Sequence, residues 1–368
     1  MRIAIAIIFF FVIIAIGVGL VATVLSKTSK NQAPKDNQKT QTGASVAILQ
    51  VSRDGGKTFS PLELPGSISL KNFGATALVQ DPDNGEVWWM GTTTSGILQS
   101  SDNGRAWQSV PGYAAGGLVT LVRVPNSDAL FVATVRDKRG RIMYSQDRGA
   151  TFKEAYSTPA ENVSVTALAV DQINTDIIYA TTSDGLLLRS QDKGQSWEPG
   201  RRFPGYITRI VIPKISPQEM YIVVSKNGVY HSSKRGEAWD DLVNIPTRKG
   251  GDLRSFTGGT DIFEFSHAPN NAGEFLLATT GGILHSQNFG VSYTRLNSII
   301  LPSAVPVLSV SYDPRHPNVI FATAGNGLYR TDDDGLSWSI FRFETPLRIF
   351  GMALDRRDGQ TMFLALGK

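Results

Sequence analysis

The sequence of 368 residues contains no cysteine and only four histidines. Without cysteine the chain cannot form disulfides, thiolate metal sites, a cysteine nucleophile or a lipid-modified N-terminal cysteine. The histidines are far apart, none has the spacing of a metal site, and none lies beside a convincing serine nucleophile: His231, His267, His285 and His316. Glycine pairs occur, but without the strand and helix that flank a phosphate-binding loop. The sequence therefore predicts no metal and no cofactor.

The N-terminal residues 1–25 contain an uncharged apolar run, from Ile3 to Leu25, that is long enough to cross a bilayer as a helix. No good signal-peptidase site follows it, so we expect an uncleaved transmembrane signal anchor. Residues 26–44 are rich in Lys, Gln, Thr and Asn, which is typical of a flexible polar linker. The remaining residues, 45–368, have the apolar content of a globular domain.

The orientation of this anchor rests on two opposing signals. Four lysines follow the apolar run, and the positive-inside tendency would place them in the cytoplasm. Arg2 before the run resembles the charged start of a secretory signal. We expect a membrane-anchored protein whose domain lies on the extracytoplasmic side, either periplasmic or at the cell surface. The net charge is only +4, and in that compartment we expect no nucleic-acid partner.

An eight-residue pattern, Ser/Thr-x-Asp-x-Gly-x-Thr/Ser/Ala-aromatic, recurs along the domain. Five copies contain the acid, at Asp54, Asp102, Asp147, Asp192 and Asp333, and two degenerate copies have Lys234 or Asn288 in its place. Successive copies start 42 to 54 residues apart, which is close to the length of one four-stranded propeller blade. Seven copies predict an all-β, seven-bladed β-propeller.

The strand pattern supports this architecture. Short apolar runs flank each copy, for example Ala75–Gln80 and Glu86–Met90. The first blade lacks its first two strands and the last repeat lacks its last two. We therefore expect residues 47–62 and 348–366 to form one shared blade that closes the ring and removes its open sheet edges.

The repeats resemble Asp-box (BNR) repeats, which are found in sialidases, sortilin-type receptors, xyloglucan-cleaving glycosidases and photosystem II assembly-factor propellers. The resemblance covers residues 45–368 and implies the propeller fold, but one scaffold hosts many functions. In this family the Asp-box turn lies on the face away from the active site. The repeated aspartates ring the molecule, so we interpret them as structural rather than catalytic.

The enzyme families within this resemblance fit the sequence poorly. The Phe-Arg-Ile-Pro signature of sialidases is missing, and sialidases resemble six-bladed rings. The xyloglucan-cleaving glycosidases resemble two propellers with facing carboxylates between them. Sortilin-type receptors include a cysteine-rich module, which this chain lacks. A carbohydrate-active enzyme of the Asp-box class and a sortilin-like peptide receptor remain the alternatives to a non-enzymatic scaffold.

Basic residues concentrate in the loops expected on the propeller face opposite the Asp-box turns. With the shared blade numbered one, they fall in blades three to six: Arg136, Lys138, Arg139, Arg201, Arg202, Lys226, Arg248, Lys249 and Arg254. The sequence shows only Asp137 and Asp252 among them. Such a field would attract acidic protein segments, acidic glycans or anionic lipid headgroups. The photosystem II assembly-factor propellers, which also resemble single seven-bladed rings with a basic patch, are the nearest functional analogy, and they imply a protein partner, such as a membrane protein.

One charged pair is predicted near the central channel. Arg209 and Glu264 occupy the same position in the first strands of blades five and six, where the other blades have small or apolar residues: Ala77, Leu121, Ala167, Ser309 and Gly351. The pair would form either a structural salt bridge or the polar floor of a ligand pocket.

Overall fold

A computed structural model describes residues 48–68, 73–113, 117–242, 252–296 and 305–367. The predicted anchor and linker lie outside these residues. Across the described ranges, no helix is long and apolar enough to cross a membrane.

The described chain folds into seven antiparallel sheets of four strands each, so the predicted all-β, seven-bladed propeller is confirmed. Strands are numbered β1 to β28 in chain order. The inner strand of each blade comes from the first apolar run of its repeat. These strands are β3 (Ala75–Gln80), β7 (Leu118–Arg123), β11 (Val165–Val170), β15 (Ile207–Val211), β19 (Ile262–His267), β23 (Val307–Tyr312) and β27 (Arg348–Leu354).

The second strand of each blade is a continuous apolar run, because neighbouring blades cover both of its faces. All five residues of Met220–Val224, for example, are buried. These strands are β4 (Trp88–Thr92), β8 (Leu130–Arg136), β12 (Ile178–Thr182), β16 (Met220–Val224), β20 (Phe275–Thr279), β24 (Ile320–Ala324) and β28 (Met362–Gly367).

The third strand of each blade ends on the Ser or Thr that begins the repeated eight-residue motif. These strands are β1 (Leu49–Ser52), β5 (Ile97–Ser100), β9 (Arg139–Ser145), β13 (Leu186–Ser190), β17 (Gly228–Ser232), β21 (Gly282–Ser286) and β25 (Gly327–Thr331).

The outer strands follow the motif and are short and mostly exposed. They are β2 (Ser60–Pro61), β6 (Gln108–Ser109), β10 (Lys153–Ser157), β14 (Glu198–Arg202), β18 (Asp240–Asp241), β22 (Thr294–Arg295) and β26 (Ser339–Arg342). Their short length limits the exposed sheet edge on the outside of the ring.

The first blade is shared by the two ends of the described chain, as predicted. Its strand order is β2-β1-β28-β27, and Leu49–Ser52 pairs antiparallel with residues 362–365 of β28. The predicted strand ends differ from those observed by up to three residues, while Ala75–Gln80 and Arg348–Leu354 match.

The core is divided into seven apolar clusters, one between each pair of neighbouring blades. The cluster between blades one and two, for instance, combines Leu49 and Phe363 with Trp88 and Met90. Alternate residues of one second strand serve two clusters, since Trp89 packs between blades two and three. Each blade is thus stabilised by both neighbours.

A β-bulge interrupts every inner strand near its start, after the first residue that pairs with the second strand in six blades and after the second such residue in the shared blade. The bulge places Thr120 of blade three, not Leu121, at the position equivalent to Arg209 and Glu264. Leu121 is instead buried between blades two and three.

The loops leave the ring on two faces. The Asp-box face carries the motif turns and the loops between first and second strands, which ion pairs such as Lys193–Asp176 connect. The connection face carries the loops between second and third strands and the links between blades. The chain reaches β1 on the connection face, because the Ile48 carbonyl accepts a hydrogen bond from Leu366 N at the end of β28.

Candidate functional site

The repeated aspartates organise their own turns. In blade four, Ser190 Oγ donates to Asp192 Oδ1 at 2.8 Å and accepts from Gly194 N at 2.8 Å. The same Asp192 oxygen accepts from Ser196 N at 2.9 Å, and Oδ2 accepts from Ser196 Oγ at 2.5 Å. This network satisfies the backbone groups of the tight turn between the third and fourth strands.

Four of the five aspartates share this network and its electrostatic consequence. Hydrogen bonds from neighbouring hydroxyls and backbone N–H groups stabilise the carboxylate, and they lower its pKa from 3.8 to about 2 at Asp54, Asp147, Asp192 and Asp333. Asp102 accepts from Ser100, Arg105 and Ala106 but has no second hydroxyl partner. The five groups lie in five different blades, and their geometry is that of turn-forming residues.

The basic residues of blade three are partly engaged by the loop that follows it. Arg139 Nη1 donates to the carbonyls of Thr158 and Pro159, which fixes the link to blade four. Lys138 Nζ lies 3.9 Å from Glu161 on the same link, and both side chains are exposed. Arg136 is exposed and makes no ion pair with another described residue.

The basic residues of blade four are held more firmly. Arg202 Nη1 lies 2.7 Å from Asp184 Oδ2 and also donates to the Asp184 carbonyl. Burial disfavours ionisation of Asp184, but hydrogen bonds from Thr182 and Arg202 outweigh it and lower its pKa. The Arg201 guanidinium lies over the rings of Phe203 and Tyr230, at 5.0 and 5.5 Å.

The link between blades five and six is anchored at its described end. A single 3₁₀ turn, Leu253–Ser255, is capped by Asp252, and Leu253 is fully buried. Arg254 projects from this turn and is exposed, as is Lys226 in the neighbouring loop of blade five. Neither forms an ion pair within the described ranges. Arg248 and Lys249 lie outside the described residues.

The connection face therefore differs from the sequence prediction in its acids. Glu161 and Asp184 face basic residues of the predicted set, although no sequence pattern marked them. Asp184 lies in the same blade as Arg202, and Glu161 lies on the link that follows the blade of Lys138. Arg136, Lys226 and Arg254 remain as exposed cations in blades three, five and six.

Arg209 and Glu264 lie together at the channel between blades five and six. Arg209 Nη2 is 2.9 Å from Glu264 Oε2, with 42% and 25% of the two side chains exposed. The same nitrogen donates to the Phe263 carbonyl at 3.3 Å. The pair thus ties the bulged strand β19 to blade five and leaves part of both groups in contact with solvent.

The histidines lie in separate settings. His231 pairs with Glu219 at 2.5 Å and His285 with Glu274 at 2.8 Å, both toward the Asp-box face. Within the described part of the chain, no three His, Asp or Glu side chains are grouped as metal ligands. Two exposed rings of inner strands, Phe263 and Phe350, were not singled out from the sequence. No sequence signal marks them, because the bulges at Phe263 and Phe350 are visible only in the strand register.

No established family model matches the sequence. Over 205 residues, 49% of this chain, it is 24% identical to an oligoxyloglucan-reducing-end-specific xyloglucanase of Emericella nidulans. The match covers 25% of that enzyme, so the chain spans about a quarter of its curated relative.

Solved propellers share the fold. The GH74 xyloglucanase of Xanthomonas campestris superposes with a TM-score of 0.63 at 17% identity, over 79% of this chain and 50% of that one. YCF48 of Cyanidioschyzon merolae gives 0.59 at 13% identity, over 79% and 98%. A structure of YCF48 bound to D1 peptide gives 0.58 at 14% identity, over 79% and 95%. These likenesses establish the propeller fold.

Proposed function

We propose that this protein is a membrane-tethered extracytoplasmic propeller that binds an acidic segment of a protein partner on its connection face and catalyses no reaction. The observation that carries the proposal is the placement of Arg136, Lys226 and Arg254. They are exposed in blades three, five and six, and no described carboxylate neutralises them. Cations of this kind steer and hold an acidic partner.

Three acids of the same face support binding over hydrolysis. Glu161, Asp184 and Glu264 each face a basic side chain. A glycosidase requires two carboxyl groups flanking the scissile bond, one of them acting as a base or nucleophile. Carboxylates held in ion pairs with arginine or lysine are poor candidates for that role.

The point at which the chain joins the propeller favours a partner at the membrane. Ile48 lies at the connection-face end of blade one, so an anchor and linker before it would hold this face near the bilayer. A propeller of the same fold, YCF48, has been solved bound to D1 peptide. That likeness supports a peptide segment as the ligand class.

The test is charge reversal on each face in turn. Arg136→Glu/Lys226→Glu/Arg254→Glu removes the exposed cations of the connection face. Lys57→Glu/Lys214→Glu/Lys234→Glu makes the same net charge change with exposed lysines of the Asp-box face. We expect the first variant of the full-length protein to lose partner capture from crosslinked membranes, and the second to retain it. Equal capture by both variants would contradict the proposal.

A second candidate, glycoside hydrolysis, rests on the sequence match to the xyloglucanase. Incubation with xyloglucan oligosaccharides and assay of new reducing ends distinguishes the two functions. We expect no turnover. Turnover that Glu264→Gln abolishes without loss of folding would favour the enzyme, and capture of an acidic glycan instead of a protein would change the ligand class.

A further inference from the structure

The bulged residue of each inner strand lies near the start of that strand, toward the connection-face mouth of the central channel, and all of them except the buried Thr166 are at least partly exposed. An inner strand is paired on one edge and covered on both faces by neighbouring blades, so its remaining exposure is to the channel. The bulge lies in the first residues of each strand, where the chain arrives from the connection face. A bulge re-aims the extra side chain. The seven residues are Thr76, Val119, Thr166, Thr208, Phe263, Leu308 and Phe350.

These seven residues divide the mouth into two halves. Blades two to five contribute three threonines and a valine, whereas blades six, seven and one contribute Phe263, Leu308 and Phe350. The strands β19, β23 and β27 that carry the large residues are consecutive around the ring and lie side by side. The apolar half is therefore continuous.

The two phenylalanines are unusually exposed for large apolar side chains. Phe263 is 41% and Phe350 is 37% exposed, while Leu308 between them is partly buried. Neither ring contacts another aromatic side chain among the described residues, although ring pairs are frequent elsewhere in the propeller. Arg209 Nη2 donates to the Phe263 carbonyl, which fixes the bulge on that side. An exposed apolar patch that the backbone holds in place is typical of a binding surface.

Two arginines lie in the segments that lead into this patch. Arg254 lies on the turn before β19, and Arg348 begins β27, two residues before Phe350. Both are exposed and form no ion pair with a described carboxylate. An exposed apolar patch together with exposed cations in the adjoining segments is complementary to an extended acidic segment that contains an apolar side chain.

We infer that the channel mouth is a specificity pocket that takes an apolar side chain of the acidic partner segment between Phe263 and Phe350. The inference rests on the proposed function and deepens it, because the cations attract the segment and the rings select its sequence. A segment with acids alone would bind the face but leave the rings exposed.

The test uses two short fluorescein-labelled peptides of alternating Glu and Gly, one with a central Leu and one with Ser in its place. We expect the Leu peptide to bind the full-length protein about tenfold more tightly by fluorescence anisotropy, as partial burial of one leucine implies. In Phe263→Ser/Phe350→Ser this ratio should fall to about one. The matched variant Ile215→Ser/Leu336→Ser, which removes exposed apolar residues of the Asp-box face, should keep the tenfold ratio.

Failure of the apolar pocket and failure of acidic-segment binding give different results. Equal affinity of the two peptides for the unaltered protein, or a preference for Leu that survives the double phenylalanine substitution, overturns the pocket alone. If neither peptide binds, both the pocket and the acidic-segment function are wrong. The inner-strand variant is checked by its circular dichroism and melting temperature, and Phe263→Leu/Phe350→Leu, which keeps the apolar surface, should restore the ratio.

Discussion

The two faces of the propeller use charge in opposite ways. On the Asp-box face, the repeated aspartates form their turns and buried interblade pairs occur, such as Arg123 Nε to Asp81 Oδ2 at 2.9 Å, although Lys57, Lys214 and Lys234 are exposed there. On the connection face, the repeat contributes little, and Arg136, Lys226 and Arg254 remain exposed. We therefore assign ring stabilisation to the repeated turns of the Asp-box face and partner binding to the connection face, whose loops do not follow the repeat.

The largest expected effect is the loss of the buried pair between blades two and three. Only 1% of the Arg123 side chain and 8% of the Asp81 side chain are exposed, and Trp89 Nε1 also donates to Asp81 Oδ2. Arg123→Met should lower the free energy of unfolding in urea by about 3–5 kcal/mol, because Asp81 is left buried without its cation.

The matched double variant tests that reason. Arg123→Met/Asp81→Leu removes both charges and should recover part of the lost stability. A double variant less stable than the single one would show that packing around Arg123, and not the uncompensated acid, sets the cost.

An intermediate effect on stability is expected when the pH is lowered, because it protonates the aspartates of the Asp-box face. Asp54, Asp147, Asp192 and Asp333 have pKa values lowered to about 2 in the folded protein. Their carboxylates therefore stabilise the fold at pH values above 3.8, the ordinary pKa of the group. This contribution is lost as the pH falls from there through about 2. The melting temperature should fall across that window.

Substituting these four residues with Asn isolates their contribution. The variant should melt lower than the unaltered protein at neutral pH and depend less on pH between about 4 and 2. Parallel pH profiles for the two proteins would assign the acid sensitivity to other carboxylates.

The smallest effects are expected on the connection face. Arg136→Ala and Lys226→Ala, made singly, should each change the free energy of unfolding by less than about 0.5 kcal/mol, since both side chains are exposed and unpaired with described residues. A larger decrease in the free energy of unfolding, measured in urea, would mean that these cations stabilise the ring. The contrast between the two faces would then weaken.

The sequence predicted the strands well where the repeat governs them. The motif spacing, the incomplete first and last blades and the apolar runs sufficed for seven four-stranded blades and the shared first blade. The site was harder to predict. The alignment of inner strands was one residue out in blade three, because the bulge adds a residue without a sequence signal.

The partners of the basic residues also escaped the sequence. Lys138 lies near Glu161, and Arg202 pairs with Asp184. The first pair joins residues 23 positions apart and the second joins residues 18 positions apart, and Arg202 ends strand β14 whereas Asp184 lies in the loop before β13. Local patterns describe contacts along one strand or turn, whereas these pairs depend on how blades and links are arranged.

The sequence by itself determined the number of blades, their closure and the turns that join third and fourth strands, because these depend on a local motif repeated at a regular interval. The tertiary structure decided which cations stay unpaired and which apolar residues face the channel. Those properties arise where seven bulged strands and the connection-face loops come together, and their distances depend on ring geometry that no single repeat encodes.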